Sequence, residues 1–392
     1  MQFLELALFL ATALAVPVAE RSQPAPLLGP SNETAVIPDK YIVVFRDDAV
    51  TAQVEGAMTS FTTGADKVFN DGFKGFAGTL NDTALEALRK HADVEFIEKD
   101  AVVSFGCVDC EPRWTTQRGA PWGLGRISHR RKGNFNYRYD GNAGAGTCAY
   151  VIDTGIDDKH PDFEGRAKQV KSFVQGEEVD GHGHGTHCAG TVGGKVFGVA
   201  KKTSLYGVKV LANNGRGSVS GIIAGMNFVA YDHKTRKCPR GVVVNVSLGG
   251  PYSEAENRAI AKLVRSGVFV AVAAGNSAQD SSAFSPASAK GVCTVAASDV
   301  NDYFAPFSNY GKPVNVIAPG VNVLSTLPGG KTGELSGTSM AAPHVAGMAA
   351  VLAARERIRG QNICGRIRRL ASKNIADRVP QYTTNALAFM GS

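Results

Sequence analysis

The chain has 392 residues, of which 44% are hydrophobic and 20% charged, and its formal net charge is +7. This composition is typical of a globular protein and excludes a disordered or collagen-like chain, despite 45 glycines. The one stretch apolar enough to enter a membrane, residues 3–18, is too short to span it, so we expect no integral membrane protein.

Residues 3–18 instead predict the apolar core of a secretory signal peptide. The run ends in Ala13-Leu14-Ala15, a small-residue pattern typical of cleavage sites, and cleavage after Ala15 or Ala19 fits the sequence. The first ten residues carry Glu5 and no Lys or Arg, which departs from the usual pattern of a signal peptide. The alternative is an N-terminal amphipathic helix, but Glu5 alone gives such a helix a poor polar face. We therefore predict a signal peptide over residues 1–15 and a secreted, extracellular protein.

Charge divides the remaining chain into two parts. Residues 16–114 carry nine Lys and Arg against 16 Asp and Glu, for a net charge of −7. Residues 115–392 carry 33 against 18, for a net charge of +15. Because a single domain rarely divides its charge in this way, we place a domain boundary near residue 114.

The acidic part predicts a small α+β domain over about residues 38–104. A Pro-rich, polar lead-in at 20–38 precedes it. The predicted elements are strands at 41–45, 72–80 and 94–103, and a helix at 83–91 that begins after the Asn81/Asp82 cap. Such a unit of about 65 residues is near the lower size limit for independent stability.

The basic part repeats the order strand, Gly-rich turn, helix. Continuous apolar runs predict buried strands at 149–152, 205–211, 242–248, 268–274 and 292–297. Helical spacing is found at 184–192, 218–233, 254–265 and 339–357. This alternation predicts an α/β fold with a doubly wound, mainly parallel sheet, and in such sheets functional sites form at the carboxyl ends of the strands.

Two motifs at such positions carry an acid and histidines. Asp153 ends the first strand of the basic part, where a carboxylate can orient an imidazole, although an Asp that merely caps a turn looks the same. Residues 180–190, DGHGHGTHCAG, contain His182, His184 and His187. One interpretation is a general base, His184, and the other is a metal site. No HExxH pattern or suitably spaced acid supports the metal site, so we favour the general base.

Two further motifs supply a hydroxyl and an amide. Ser339 stands in GTSMAAPHVAG at the predicted start of a helix, where backbone N–H groups can bind an oxyanion, and a simple N-cap is the alternative. Small residues on both sides would let a substrate backbone approach. Asn276 follows another strand end and can donate to the same oxyanion, although turn chemistry alone also explains an Asn there.

Taken together, these motifs closely resemble the subtilase family of serine endopeptidases, particularly its fungal, secreted, proteinase K-like branch. The matching strings are VIDTGID at 151–157, HGTHCAGTVGG at 184–194, GVKVL at 207–211, SLGG at 247–250, AAGNS at 273–277, SPAS at 285–288, FSNYG at 307–311 and GTSMAAPHVAG at 337–347. The earlier segments YIVVF, GFAGTL and VEFIEKDAVV resemble that family's inhibitory propeptide. The resemblance implies a subtilisin-like three-layer fold over 115–392, preceded by a propeptide over 16–114.

The resemblance also implies a role for each motif. Ser339 is expected to be the nucleophile that forms an acyl-enzyme, His184 the general base and then acid, and Asp153 the residue that holds the His184 tautomer. Asn276 and the Ser339 backbone N–H are expected to form the oxyanion hole.

By the same resemblance, eight residues contact substrate. Ser247, Leu248, Gly249, Ala274 and Gly275 would line the cleft for the residue before the cut bond, and Gly215, Arg216 and Gly217 would pair with the extended substrate. Small and apolar walls imply broad specificity with a preference for apolar or aromatic residues before the cut bond. We hypothesise that Arg216 favours acidic residues at an outer subsite; a solvated surface Arg is the alternative.

The seven cysteines of this apparently secreted chain imply disulfides with one cysteine left over, and their pairing does not follow from the sequence alone. The resemblance implies Cys148–Cys238 and Cys293–Cys364, with Cys188 free and buried beside His184. Cys107 and Cys110 lie near the maturation junction and have no assigned role.

No metal site is predicted with conviction, and no cofactor is expected to be required. Related enzymes bind a stabilising calcium through backbone carbonyls around 290–292 and one carboxylate. The corresponding residue here is Asn315, a neutral and weaker ligand, so we expect calcium affinity to be reduced if calcium binds at all. Asn-X-Ser/Thr sequons make Asn32, Asn81 and Asn245 glycosylation candidates, of which we discount Asn245 because it lies in a predicted buried strand.

The leading hypothesis is a secreted serine endopeptidase, made as a precursor that cuts itself near residues 114–117 and is inhibited by its own propeptide. We expect protein and peptide substrates, no nucleic-acid or membrane partner, and a monomer. A metal hydrolase built on the histidines is one alternative. A basic binding protein is another, but only the basic clusters at 129–132 and 366–369 approach such a surface, and both are more simply solvated faces or helix-end charges.

Overall fold

The computed structural model describes residues 22–29, 36–61, 65–70, 73–101 and 114–391. The chain divides into two compact units, Met1–Val108 and Asp109–Ser392. The predicted signal peptide, the sequon at Asn32, and the cysteines Cys107 and Cys110 lie outside the described residues.

The first unit is a small α+β domain with a five-stranded sheet in the order β1-β5-β2-β4-β3. Its elements are β1 Leu27–Leu28, β2 Val36–Phe45, α1 Thr51–Phe61, β3 Ala65–Phe69, β4 Gly75–Thr79, α2 Asp82–Lys90 and β5 Val94–Ala101. Helix α2 begins where the sequence predicts, because the side-chain oxygen of Asn81 accepts the N–H of Ala84 at 2.8 Å. The core forms around Phe45, Phe76 and Leu88.

The second unit holds a nine-stranded sheet in the order β19-β20-β16-β15-β13-β11-β8-β10-β9. All of its pairs are parallel except β19–β20. The described strands are β6 Trp114–Gln117, β7 Tyr137–Asp140, β8 Thr147–Asp153, β9 Ala167–Ser172, β10 Ser204–Lys209, β11 Gly241–Val246, β12 Gly250–Pro251, β13 Phe269–Ala273, β14 Phe284–Ser285, β15 Cys293–Ser298, β16 Val314–Pro319, β17 Val323–Leu327, β18 Lys331–Leu335, β19 Ser372–Lys373 and β20 Ala386–Leu387. The described helices are α3 Trp122–Ser128, α4 His184–Gly193, α5 Val219–Asp232, α6 Glu254–Arg265, α7 Thr338–Glu356 and α8 Asn362–Leu370.

Helices cover both faces of the large sheet. In β8, Ala149 and Val151 face the core shared with α3, α4, α7 and α8, whereas Tyr150 and Ile152 face the core shared with α5 and α6. Alternate side chains of a strand point to opposite faces, so a strand with apolar residues at every position is buried on both. The predicted three-layer α/β architecture is therefore confirmed.

The five strands and four helices predicted for this unit are present, with small differences at their ends. Strands β10 and β11 each end two residues before the predicted position. After β10 the regular hydrogen bonding between strands stops, because the N–H groups of Val210 and Leu211 both donate to the carbonyl oxygen of Asp153. These early ends leave the following residues free to line a cleft.

Three neighbouring strands bring the predicted motifs to one edge of the sheet. Asp153 ends β8, Ser247 follows β11, and Asn276 lies three residues after β13. His184 is the first residue of α4 and Ser339 the second residue of α7. The parallel arrangement of β8, β11 and β13 therefore gathers residues that are far apart in sequence.

Disulfides join Cys148 to Cys238 and Cys293 to Cys364, the two pairs that the resemblance implies. Cys188 is free and fully buried. Trp114, the last residue of the predicted pro-segment, is the first residue of β6, which pairs with β7 in the second unit. No helix among the described residues is long and apolar enough to cross a membrane.

Candidate active site

The central contact of the candidate site joins His184 to Asp153. The His184 Nδ1 lies 2.7 Å from the Asp153 Oδ1, which also accepts the backbone N–H of Thr154 at 2.7 Å. Asp153 is fully buried, and its Oδ2 has no hydrogen-bond partner among the described residues. A carboxylate in this position fixes the imidazole with Nδ1 protonated and leaves Nε2 as the proton acceptor.

The environment of His184 favours its protonated form. Burial by itself lowers the pKa of the imidazole, but the charge of Asp153 and the hydrogen bond to it raise that pKa well above its ordinary value. A raised pKa makes the imidazole a stronger base when it is neutral, and it stabilises the imidazolium that forms when the ring takes a proton.

A buried acid that the sequence analysis missed holds the loop before His184. Asp180 accepts hydrogen bonds from the N–H of Gly183, the hydroxyl of Thr154 and the N–H and hydroxyl of Thr186, at 2.6 to 2.9 Å. It thereby ties the end of β8 to the start of α4. The signal was present in the sequence, because Asp180 opens the segment DGHGHGTH.

Helix α4 can begin this close to β8 because Gly185 lacks a side chain. A Cβ on Gly185 would lie 2.1 Å from the carbonyl oxygen of Gly155, so any other residue would force the helix away from the strand. The position of His184 next to Asp153 therefore depends on this close approach.

Ser339 lies in the same cleft as His184, and its hydroxyl donates to the backbone carbonyl of Ser247 at 3.1 Å. The Ser247 hydroxyl in turn donates to the Ser339 carbonyl at 2.7 Å and accepts from the Asn245 side chain at 2.9 Å. These bonds attach the start of α7 to the end of β11. In this arrangement the Ser339 hydroxyl donates to a carbonyl oxygen and not to His184.

The orientation of Asn276 is fixed by Thr338. The Asn276 side-chain oxygen accepts the N–H and the hydroxyl of Thr338, each at 2.8 Å. Because the oxygen of the carboxamide is occupied, its NH2 group is the part available to the cleft. The Ser339 N–H is one of the helix N-terminal donors that lack an intrahelical acceptor. Thr338 was not predicted, although it lies inside the motif that singled out Ser339.

The predicted substrate-contacting residues lie on two adjoining cavities that share Ser339 and Asn276. The smaller, of about 310 Å³, is lined by Leu248, Gly249, Ala274 and Gly275 among others. The larger, of about 710 Å³, is lined by Gly215, Arg216, Gly217, Ser247, Leu248 and Gly249 together with His184. The structure therefore brings all eight predicted residues to one cleft. Residues 215–217 form a loop there and belong to no strand of the large sheet.

The three histidines do not form a metal site. The His187 Nε2 lies 2.9 Å from the carbonyl oxygen of Val323 and faces away from His184, and burial lowers its pKa to about 4. His182 also lies on the cleft, with its ring centroid 6.3 Å from that of His184. Among the described residues, the one set of three His, Cys, Asp or Glu side chains with ligand atoms close enough to hold a metal ion is Asp153, His184 and Cys188.

Cys188 packs beneath the candidate site. Its Sγ lies 3.4 Å from the Ser339 carbonyl oxygen and 4.0 Å from the His184 Nδ1. Burial raises the pKa of the thiol, which keeps it protonated and weakly nucleophilic.

Three further predicted positions can be located. Asn81 is exposed on the first unit, whereas Asn245 is 1% exposed within β11. The side-chain oxygen of Asn315 accepts the N–H of Thr294 at 2.8 Å.

Comparison with known proteins matches both units to described families. Residues 144–379 match the model of the Subtilase family, and residues 40–105 match that of the Peptidase inhibitor I9 family. A cuticle-degrading protease of Metarhizium anisopliae is 53% identical over 386 residues, which cover 98% of each chain. Proteinase R of Parengyodontium album is 48% identical and covers 95% of this chain and 93% of its own.

A solved structure is also similar. A cold-adapted subtilisin-like serine proteinase matches with a TM-score of 0.65 and 39% identity, over 69% of this chain and 98% of that chain.

Proposed function

We propose that this chain, which belongs to the subtilase family of serine proteases and carries an inhibitor I9 propeptide, is the precursor of a secreted endopeptidase of broad specificity. The observation that carries the proposal is the 2.7 Å contact between His184 and Asp153 in a cleft shared with Ser339 and Asn276. Each of these residues has a distinct part in the reaction.

Acylation begins when the Ser339 hydroxyl leaves the Ser247 carbonyl and turns to the His184 Nε2. The Ser339 Oγ attacks the carbonyl carbon of the substrate while His184 takes the hydroxyl proton, and the former carbonyl oxygen becomes an oxyanion. His184 then gives the proton to the leaving amine, the C–N bond breaks, and the acyl group stays on Ser339. A water molecule then attacks the acyl group while His184 acts again as general base. The bond to the Ser339 Oγ breaks, and the carboxylic acid product is released.

The oxyanion is met by donors already in place. The Asn276 NH2 group and the Ser339 N–H lie at the edge of the cleft, and the positive end of the α7 dipole adds to their effect. Such a donor contributes about 3 to 4 kcal/mol to the lowering of the barrier.

Specificity follows from the walls of the smaller cavity. Small residues such as Gly249, Ala274 and Gly275 line it together with the apolar side chains of Leu248 and Phe284. A cavity of about 310 Å³ accepts an aromatic or a large aliphatic side chain. We therefore propose apolar and aromatic preference for the residue before the cut bond.

Calcium has no part in this proposal. At the position expected to provide a carboxylate, Asn315 offers a neutral oxygen that already accepts a backbone N–H. These residues fit a hard cation poorly, so no step depends on one.

The first unit is proposed to be the inhibitor of the second until it is cut away. We propose that the protease makes this cut itself near residues 114–117, after passage into the secretory pathway. No further partner is required, and we propose that the mature enzyme is a monomer.

Expression of the full chain with Ser339→Ala tests the proposed reaction. Without the nucleophile, the precursor should accumulate with its pro-region attached, whereas Ser282→Ala, which changes an exposed serine, should be processed normally. Addition of a trace of active enzyme should then cut the accumulated precursor. Normal processing of Ser339→Ala on its own would refute self-cleavage by Ser339.

A further inference from the structure

The larger cavity of the cleft contains an acidic residue that the reaction does not use. Glu256 lies in the first turn of α6, and its side chain is on the wall of the cavity shared by Ser339 and Arg216. Only 1% of the residue is exposed, and its Oε1 has no hydrogen-bond partner among the described residues. A buried carboxyl without a partner requires an explanation.

The usual structural role for this residue is taken by another side chain. Ser253 and Glu256 have the spacing of a capping box, in which the glutamate carboxylate accepts the N–H of the capping serine. Here the Ser253 N–H donates to the Ser285 hydroxyl at 2.9 Å, while the Ser253 hydroxyl accepts the Glu256 N–H at 3.3 Å. One half of the box is formed, and the Glu256 carboxyl is left out of it.

The fold gains nothing from a carboxyl at this position. Taking it out of water without a partner is unfavourable, and an apolar residue of similar size would pack at lower cost. Burial raises the pKa of Glu256 to about 7, and no neighbouring charge contributes to this shift. Residues that lower the stability of the fold, as this unpaired carboxyl does, occur where a binding function requires them.

The surroundings of Glu256 define what it can bind. The cavity wall carries the apolar side chains of Leu211, Val219, Ile222, Leu248 and Pro251. The other titratable groups on this cavity are His182, His184 and Arg216. On the surface of α6, Glu254 pairs with Arg258 at 2.7 Å, and neither residue lines the cavity.

We propose that Glu256 is a specificity-determining residue that accepts a lysine or arginine side chain of the substrate, upstream of the residue before the cut bond. The aliphatic stem of such a side chain would contact the apolar walls, and its cationic end would reach the unpartnered carboxyl. The inference rests on the proposed peptidase function, in which the substrate extends along Gly215–Gly217 on the border of the same cavity.

The preference should depend on pH. Glu256 must be ionised to attract a cation, so the preference is expected to be weak in acid and to grow as the pH rises through the pKa of this carboxyl. Glu256→Gln retains His182, His184 and Arg216, and so separates the effect of Glu256 from the effects of these three residues.

The test uses mature enzyme prepared from the full chain and pairs of peptides that differ at one upstream position. Each pair carries either lysine or norleucine, which has a similar stem and no charge, and every upstream position is examined in turn. The quantity measured is the ratio of kcat/KM for lysine to that for norleucine, at about pH 5 and about pH 9. A change in the protonation of His184 affects the cleavage of both peptides of a pair equally, so it cancels in the ratio.

At one upstream position the ratio is expected to rise between the two pH values, and Glu256→Gln should lower its value at alkaline pH by about tenfold. Glu256→Leu should do the same and raise the Tm, since it removes an unpaired buried carboxyl. Glu254→Gln on the same helix is the control and should leave the ratio as it is. An equal ratio in wild type and Glu256→Gln at every position would overturn the inference, whereas failure to cleave any peptide would overturn the proposed function and this inference with it.

Discussion

Thr338 holds Asn276 through two hydrogen bonds to the same carboxamide oxygen, one from its N–H and one from its hydroxyl, both at 2.8 Å. The hydroxyl also accepts the N–H of Gly275 at 3.1 Å, so the residue before Asn276 is fixed as well. In the proposed reaction Thr338 would be a positioning residue, because it would act on the oxyanion only through Asn276.

Replacement of Thr338 by valine should therefore lower kcat and leave KM nearly unchanged. Valine keeps the shape and the backbone bond but removes the hydroxyl, so the Asn276 NH2 group is held less firmly. We expect a fall of about tenfold in kcat, against about 10²–10³-fold when Asn276 itself becomes leucine. Thr338→Ser should recover most of the activity, and a rise in KM alone would show that Thr338 acts on substrate binding instead.

Asp153 should set the acid limit of activity. General-base catalysis needs a neutral imidazole, and Asp153 raises the pKa of His184, so activity should rise with pH through a midpoint above the ordinary value of about 6.5. Asp153→Asn removes the charge that raises this pKa. The variant should lose about 10⁴-fold in kcat, and the midpoint of its remaining activity should move to lower pH.

The pH profile of kcat/KM for wild type and Asp153→Asn measures both effects. Asp157→Asn is a suitable control, because Asp157 lies beyond the strand end and makes no contact with His184. A profile of Asp153→Asn with the wild-type midpoint would contradict the assigned role of Asp153.

Arg216 and Glu256 place opposite charges on one cavity, but the two differ in burial. Arg216 is exposed, and its guanidinium forms no ion pair with the described residues, whereas Glu256 is buried. We expect Arg216→Ala to lower the cleavage of peptides with an acidic residue at an outer upstream position, by a few-fold because exposed charge pairs are weak. Profiling of a peptide library at low and high salt checks this, since the preference should fade with salt. An unchanged profile would mean that Arg216 is only a solvated surface residue.

Much of the architecture could be predicted from the sequence, because the candidate catalytic residues lie at the ends of regular strands and helices. The strands that end near Asp153, Ser247 and Asn276 are apolar at nearly every position, and their burial on both faces makes them easy to recognise. Helix α6 is confirmed at the residues predicted, where a serine cap precedes a clear helical period. The edge strands β3 and β9 escaped prediction because their exposed lysines and polar residues interrupt the apolar pattern.

The supporting residues of the site could not be found in this way. Asp180 and Thr338 act through hydrogen bonds to residues that are distant or irregular in sequence. Those bonds exist only once the ends of β8 and β13 and the starts of α4 and α7 have come together. Glu256 was hidden for the opposite reason, since its spacing from Ser253 has the form of an ordinary helix cap. In the structure, the Ser253 N–H that would bond this carboxyl donates to Ser285 instead.

The most direct test of the account is labelling of the mature enzyme with a serine-directed phosphonate or sulfonyl fluoride, followed by peptide mapping. We predict one label for each active molecule, attached to Ser339, with loss of activity in proportion to labelling and no loss on treatment with a metal chelator. Activity that survives complete exposure to the reagent, or that a chelator abolishes, would contradict the assignment of Ser339 as the nucleophile.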